Sequence, residues 1–297
     1  MKTGSKSFSD RTFGVFTYVI ITLMTLLCLL PLLHMVALSF SDKEAVSAGR
    51  VGIWPMGFNL EAYKMILPDQ QYFRSFGVSV ARVVAGTIYN IITTVLFAFP
   101  LAHEKKQWPS RNLYMLFMLF TMMFGNGGLV PWYFTIKKVG MLGTFWALVI
   151  PGGVAFGHVI LLMNAMRNLP KSLRESAELD GAGYMSLLFR IYLPLTIPTL
   201  AVIVLYCVVG HWNEFFAARI LIKKMEQLPL QSYIYSLRMT ETHLSTLTTT
   251  ELMKLETLSG RAFDAAKIVV ATVPILLIYP VIQRFFVGGI TLGAVKE

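Results

Sequence analysis

The chain has 297 residues, 55% of them hydrophobic and only 14% charged, with a mean hydropathy of +0.62. Those proportions exclude a soluble globular protein, and apolar runs of about 18 residues or more recur along the length, the mark of a polytopic membrane protein. In so apolar a chain the formal net charge of +10 belongs with cytoplasmic loops and anionic lipid headgroups rather than with nucleic acid.

Lys2, Lys6 and Arg11 precede the first apolar stretch. That stretch continues to about Leu38 without a small-x-small cleavage site, so it reads as an uncleaved spanning helix behind a cytoplasmic tail, 1–12. Six segments are long enough to cross about 30 Å of hydrocarbon: Phe13–Leu38, Phe73–Ala102, Asn112–Tyr133, Phe145–Met166, Ile191–Trp212 and Lys267–Val287. They are continuously apolar rather than alternating, which predicts helices and not a barrel. Pro31, Pro198, Pro274 and Pro280 lie within or near these spans, at sites where kinks are tolerated. Together they form one membrane domain, 13–287, followed by a short cytoplasmic tail, 288–297. Cys28 and Cys207 fall inside apolar segments and read as small core residues, not as a disulfide or metal pair.

Basic residues in the short connections set the orientation. The N-terminal tail, the second-to-third connection (Lys105, Lys106, Arg111) and the fourth-to-fifth connection (Arg167, Lys171, Arg174, Arg190) should face the cytoplasm, with both termini inside. Lys137 and Lys138, on the opposite side, run against the trend. The polar stretches 39–72 and 213–266 are expected as outside loops. Asn126 to Gly128 should interrupt the end of the third helix before Pro131, as a re-entrant or surface-lying turn.

The connection 168–194 carries a polar helical hairpin. Pro170 cannot continue a preceding helix, and Ser172-Leu173-Arg174-Glu175 matches a capping box, with a helix of roughly eight residues to follow. Gly181 and Gly183 are both able to supply the positive φ that ends it, and Pro194 marks re-entry into the bilayer. Capping alone would explain Glu175, and a solvated turn would explain Asp180. Neither explains why such a hairpin sits here.

The run Glu175-Ser176-Ala177, three residues, Gly181, nine residues, Ile191-Tyr192-Leu193-Pro194 resembles the EAA loop of ABC-type importer permeases, departing only at Ser176. Trp212-Asn213-Glu214-Phe215 is similar to a run after the fifth helix of sugar-importing permeases. The ending Gly293-Ala294-Val295-Lys296-Glu297 resembles the close of the maltose-type second permease, with Glu297 in place of Gly. The run at 124–131 resembles a Firmicute branch that handles complex oligosaccharides.

The resemblance implies an all-α fold of the type I ABC importer class, with six transmembrane helices and a cytoplasmic coupling helix. It implies a bacterial cytoplasmic-membrane location, and three kinds of partner besides the lipid membrane: a second permease subunit in a heterodimer, two cytosolic ATP-binding cassette subunits and an extracellular sugar-binding lipoprotein. ATP and Mg would be bound by the partner ATPases and no cofactor by this chain, which carries no Gly-x4-Gly-Lys-(Ser/Thr) loop. Glu175, Ala177, Asp180, Gly181, Ile191, Leu193 and Pro194 would form the ATPase-coupling surface, and Gly288, Gly293 and Lys296 a possible tail contact. Trp132, Tyr133, Trp212 and Asn213 are candidates for the substrate path, though each also suits an interfacial anchor or a core position.

Three other classes compete. A secondary transporter needs membrane-embedded ionisable groups for ion coupling; His34, Arg82, His158 and His211 lie in the spans, but no carboxylate lies deep within any of them, and Glu214 sits just past an end. A channel would leave the coupling loop unexplained. An intramembrane enzyme finds no metal-binding His spacing and no Gly-x-Ser-x-Gly turn.

Overall fold

Helix is the only regular structure among the residues described by a computed structural model, 8–66, 70–103, 108–124, 127–236 and 260–293. In hydrocarbon a backbone must satisfy its own polar groups, and a helix does so within one segment. The chain divides into two compact units, Met1–Asp69 with Leu237–Val273, and Gln70–Ser236 with Pro274–Glu297.

In the first unit, α1 (Phe8–Ser39) contains Pro31. None of its apolar window is covered, which suits a helix meeting lipid or a partner chain. Asp42 caps α2 (Lys43–Ser47), its carboxylate accepting the Ala45 N–H at 2.7 Å. A short helix, α3 (Glu61–Ile66), follows, and a small core gathers Ala37, Val46 and Val51 with Ala262. The last helix of the chain runs Gly260–Gly293. It therefore extends beyond the expected Lys267–Val287, through Gly288 and up to Gly293, into what reads from sequence as a tail. Lys296 lies outside the described residues.

The second unit is built around α4 (Gln70–Ala102). Its buried face is a stripe of Ser75, Ser79, Arg82, Gly86, Asn90, Thr94 and Ala98, recurring every three or four residues as one helical side does. Lipid tails are as apolar as leucine, so helices in a bilayer associate by close packing of small residues and by hydrogen bonds. The stripe supplies both.

Only α1 and α4 are unbroken helices that meet the length and apolarity of a span among the residues searched. Three expected spans are broken instead. α5 (Arg111–Phe124) and α6 (Leu129–Lys138) are set at 115°, with Gly127 and Gly128 at positive φ between them. This is the interruption that the glycines announce. The expected helix Phe145–Met166 is two 3-10 turns, Phe145–Leu148 and Ile150–Gly152, and then α7 (Phe156–Arg167), bent by 48° across the break at 153–155 that follows Pro151 and Gly152. After α7 come α8 (Lys171–Leu179), α9 (Tyr184–Leu187), a π turn over Leu188–Tyr192 and α10 (Leu193–Leu195). α11 (Ile197–Asn213) then departs at 79°, where Pro198 in its first turn has no N–H to give the preceding turn.

The stretch 213–266, expected as a polar outside loop, is partly a folded, buried piece. α12 (Phe216–Leu221) and α13 (Leu230–Ser236) place Leu221 and Leu230 fully inside. The Ser79 hydroxyl accepts the Leu230 N–H at 2.7 Å, and Arg219 lies over the Tyr235 ring at 4.1 Å. Residues 237–259 are outside the described set.

Close approach of α4 and α11 depends on Gly86, because a Cβ there would overlap the His211 ring. Gly86→Ala should cost about 1–3 kcal/mol, the usual range for overpacking. The paired variant Gly86→Ala/His211→Ala should recover most of that loss, read as non-additivity in thermal unfolding of the detergent-solubilised protein. Additive losses would show that the glycine is not accommodating this ring.

Candidate functional site

The hairpin between α7 and α11 is seated by one face and open on the other. Ala177 and Ala182, with Ile191 and Leu193, pack against the core formed by Ala98, Leu101, Leu162, Met166 and Leu187. Glu175, Asp180, Gly181 and Pro194 are exposed. The expected coupling residues thus fall into two sets: Ala177, Ile191 and Leu193 hold the hairpin down, while Glu175, Asp180, Gly181 and Pro194 face out.

The capping box is not formed. α8 begins at Lys171, with Pro170 at its N-cap and no side-chain cap, so Ser172 is already inside the helix and cannot hold an N-cap geometry. Among the described residues the Glu175 carboxylate has no ion pair or side-chain hydrogen bond, which removes capping as its explanation. Arg174 and Glu178 make the i,i+4 pair on this helix, at 3.3 Å.

The turn that ends α8 is a Schellman motif. Gly181 N–H donates to the Glu178 carbonyl at 3.1 Å and Ala182 N–H to Ala177 at 2.9 Å. Gly181 has φ of +79°, with open space where a Cβ would stand. The glycine is therefore required by backbone conformation and not by crowding within this chain. Gly183, the other candidate for positive φ, has φ of −74° and is ordinary.

Sequence reasoning missed part of this surface. Leu179 is 90% exposed, and Tyr184 and Met185 are 65% and 68% exposed, beside the acidic residues. A large apolar side chain at the end of a mostly polar helix, whose inward face is already supplied by Ala177, is the signal that was available. The π turn over Leu188–Tyr192 contains Ile191, and such turns concentrate at functional sites.

Elsewhere in the same unit is a cavity of about 690 Å³ that sets a cluster of polar groups in a largely apolar lining. Arg82 and Glu214 are in its wall. Arg82 is only 3% exposed. Its Nη2 pairs with the Glu214 carboxylate at 2.7 Å, Nη1 donates to the Glu214 carbonyl at 3.0 Å, and Nε donates to the Leu148 carbonyl at 3.3 Å. The other Glu214 oxygen accepts the Ala217 N–H at 2.6 Å, which caps the first turn of α12. Asn90 donates to the Gly152 carbonyl at 3.0 Å and accepts from His211 at 3.1 Å, and Thr93 donates to the Gly153 carbonyl. Across the cavity, His158 stacks on Tyr206.

Of the four aromatic and amide residues expected on a substrate path, only Trp132 lines this cavity. Tyr133 packs into the core around Ile136 and Leu221. Trp212 is 3% exposed, edge-on to Phe76 at 5.8 Å, and Asn213 is exposed outside the lining. In the Trp212-Asn213-Glu214-Phe215 run, the residue that reaches the cavity wall is Glu214. Its role needs Arg82, 132 positions away, and no local pattern reveals that partner. Among the described residues no group of His, Cys, Asp or Glu side chains can hold a metal ion.

Residues 75–292 match the model of a family described as "Binding-protein-dependent transport system inner membrane component". Protein LplC of Bacillus subtilis is 35% identical over 290 residues, covering 97% of this chain and 96% of that protein. The polygalacturonan/rhamnogalacturonan transport system permease protein YtcP of the same organism is 32% identical, over 97% of this chain and 99% of its own. Among solved structures, a chain of a bacterial ABC transporter that imports the acidic polysaccharide alginate superposes with a TM-score of 0.82 at 29% identity, covering 96% of this chain and 100% of that one.

Substitutions at Gly181 and at the Arg82–Glu214 pair separate the roles of these residues. Gly181→Ala should lower the stability of the hairpin by about 1–2 kcal/mol, because a Cβ disfavours the left-handed region, and Gly181→Asn by less; protease sensitivity of the loop measures both. Arg82→Met should destabilise the protein by about 3–5 kcal/mol, since it strands a partly buried carboxylate. Adding Glu214→Gln should return part of the loss in the same unfolding assay.

Proposed function

The chain belongs to the family of binding-protein-dependent transport system inner membrane components, and from that premise we propose that it carries a sugar or oligosaccharide across the cytoplasmic membrane as one permease subunit of an ATP-driven importer. An extracellular binding protein delivers the sugar, a second permease completes the pathway, and two cytosolic cassette subunits bind ATP and Mg and hydrolyse the nucleotide. Both termini and the hairpin 168–194 lie on the cytoplasmic side, in keeping with the basic residues of that connection.

The observation that carries this reading is the hairpin with its two faces. A loop that served only to connect helices would not leave Leu179 and Met185 in water while a Schellman turn and four apolar contacts fix the backbone beneath them. Burying one such side chain is worth about 1.5–3 kcal/mol, so an ATPase cleft that covered both would gain a firm hold. Glu175 and Asp180 would add charge specificity at its rim.

Transmission follows from the chain itself. α10 leads through Thr196 into α11, whose 17 residues span about 25 Å. Tyr206, His211 and, at the end, Glu214 bring this helix to the cavity. A displacement of the docked hairpin is therefore delivered to the cavity wall by one rigid rod. The Arg82–Glu214 pair leaves that wall charge-balanced, and Trp132, Tyr206, Asn90, His158 and His211 offer ring faces and hydrogen-bonding groups, which suits a hydroxylated substrate over a lone ion. This cavity replaces Tyr133, Trp212 and Asn213 as our candidate contribution to the substrate path.

The reading is tested on the complex co-purified with its cassette subunits, reconstituted in lipid with sugar-loaded binding protein. ATPase activity should rise on adding the loaded binding protein. Leu179→Ser/Met185→Ser should lower the stimulated rate at least about tenfold, as expected for losing 1.4 kcal/mol or more of docking, with the permease still folded. Sugar flux that continues without ATP would replace this reading with a secondary carrier or a channel.

A further inference from the structure

A second cavity, a polar one of about 350 Å³, lies where the ends of α4 and α7 meet the start of α8. Arg111, Arg167, Lys171 and Arg174 line it, and among the described residues of its lining none is a carboxylate, Arg174 pairing with Glu178 on its own helix. Arg111 Nε and Arg167 Nη2 both donate to the same acceptor, the Leu101 carbonyl, each at 2.9 Å. Two guanidinium groups are thus gathered on one oxygen, and among the described residues neither has an ion pair. Both retain N–H donors beyond these bonds. Held side by side, like charges call for an anion between or beside them.

His103 is 6% exposed and lines this cavity. Its Nδ1 bonds the Phe99 carbonyl at 2.8 Å, so Nδ1 carries the proton, and Nε2 is buried with no partner among the described residues. In a neutral ring that nitrogen is an acceptor, and no hydroxyl or N–H of the described residues donates to it. His103 also lines a neighbouring cavity of about 310 Å³ whose other walls are Phe99, Pro100, Trp108 and Tyr184. Trp108 stacks on Tyr114 there, 4.9 Å between rings. A basic, donor-rich chamber and an aromatic, apolar one share one histidine at the end of a membrane helix.

We propose that these paired cavities hold one anionic phospholipid with a hydroxylated headgroup, of the phosphatidylglycerol type. The phosphodiester sits against Arg111 and Arg167 and within reach of Lys171 and Arg174, a headgroup hydroxyl donates to His103 Nε2, and the start of an acyl chain lies along Trp108 and Phe99. A free phosphate would fill the basic chamber alone and leave the aromatic one empty. Basic pockets between transmembrane helices bind lipid headgroups by this chemistry. The consequence for the molecule is specific. Arg111 and Arg167 belong to the membrane bundle and Lys171 and Arg174 to α8, so the lipid ties the docking hairpin to the bundle from outside the protein core.

The test is native mass spectrometry of the assembled transporter released from bilayers of equal phosphatidylglycerol and phosphatidylcholine. One phosphatidylglycerol per copy of this chain should remain in preference to phosphatidylcholine. Each Lys or Arg near a headgroup contributes about fivefold in binding, so Arg111→Gln/Arg167→Gln should lower retention by about 25-fold. Arg111→Lys/Arg167→Lys should keep most of it. Trp108→Ala leaves the basic chamber untouched and should still lower retention, which keeps the proposal testable if the double Gln variant fails to fold. Inorganic phosphate and glycerol phosphate at millimolar concentration should not displace the lipid. Equal retention of phosphatidylcholine, displacement by phosphate, or unchanged retention in a folded double Gln variant would each overturn the proposal. So would loss of the lipid whenever the cassette subunits are docked, since acidic side chains of that partner would then be the occupant.

Discussion

The broken span between residues 145 and 167 depends on donors from α4. Pro151, Gly152 and Gly153 open the helix, and opening a helix inside a bilayer leaves carbonyls that water does not reach. Arg82 takes the Leu148 carbonyl, Asn90 takes Gly152 and Thr93 takes Gly153. Arg82 and Asn90 lie on the polar stripe of α4 that the packing buries, and Thr93, half-buried, stands beside it. Without them the break would cost several kcal/mol per unsatisfied group; with them the opened turn becomes one wall of the cavity. The charge on Arg82 is in turn balanced by Glu214, so a cation, a carboxylate and three backbone carbonyls settle one another's demands in a single place.

Two irregular places in the chain do related work. At residues 145–153 the irregularity makes room, and at 188–198 it redirects the chain. The π turn, Thr196 and Pro198 convert a hairpin lying against the bundle into the start of α11 at 79° to it. Thr196 is buried, and its hydroxyl returns a hydrogen bond to the Tyr192 carbonyl at 2.8 Å, so the bend is internally satisfied rather than loose. A bend with its hydrogen bonds met can pass on a displacement as a rigid body, which a frayed linker cannot.

What the sequence made legible was whatever depends on local chemistry or on a run of fixed spacing. The helical class, the interruption near Gly127 and Gly128, the hairpin 168–194 and the positive φ at Gly181 all follow from residues within one short window. The resemblance carried by Glu175 to Pro194 and by Trp212 to Phe215 located the family correctly. Illegible were the features made by distant partners. Apolarity marks residues 145–166 as a span but does not register that Asn90 and Thr93 stand ready to accept a break in it. Trp212 and Asn213 look like sugar-binding groups in isolation, yet Trp212 packs edge-on to Phe76 and the member of the run that reaches the cavity is Glu214. Residues 216–236 read as polar connection because their burial is against α4 and not against lipid.

The hairpin also shows why a motif is a poor map of contacts. Seven residues match or flank the motif, but only part of the set faces outward; Ala177, Ile191 and Leu193 are needed because a larger or polar side chain would lift the hairpin from Leu101 and Met166. Gly181 is needed because the backbone turns through a left-handed residue there. Leu179 and Met185, which belong to neither requirement, are the residues whose exposure costs free energy in the isolated chain. A partner that covers them recovers that cost, and the inward residues set where it is recovered. Docking affinity and docking geometry are thus carried by different side chains of the same short segment, so the first can change while the second is kept.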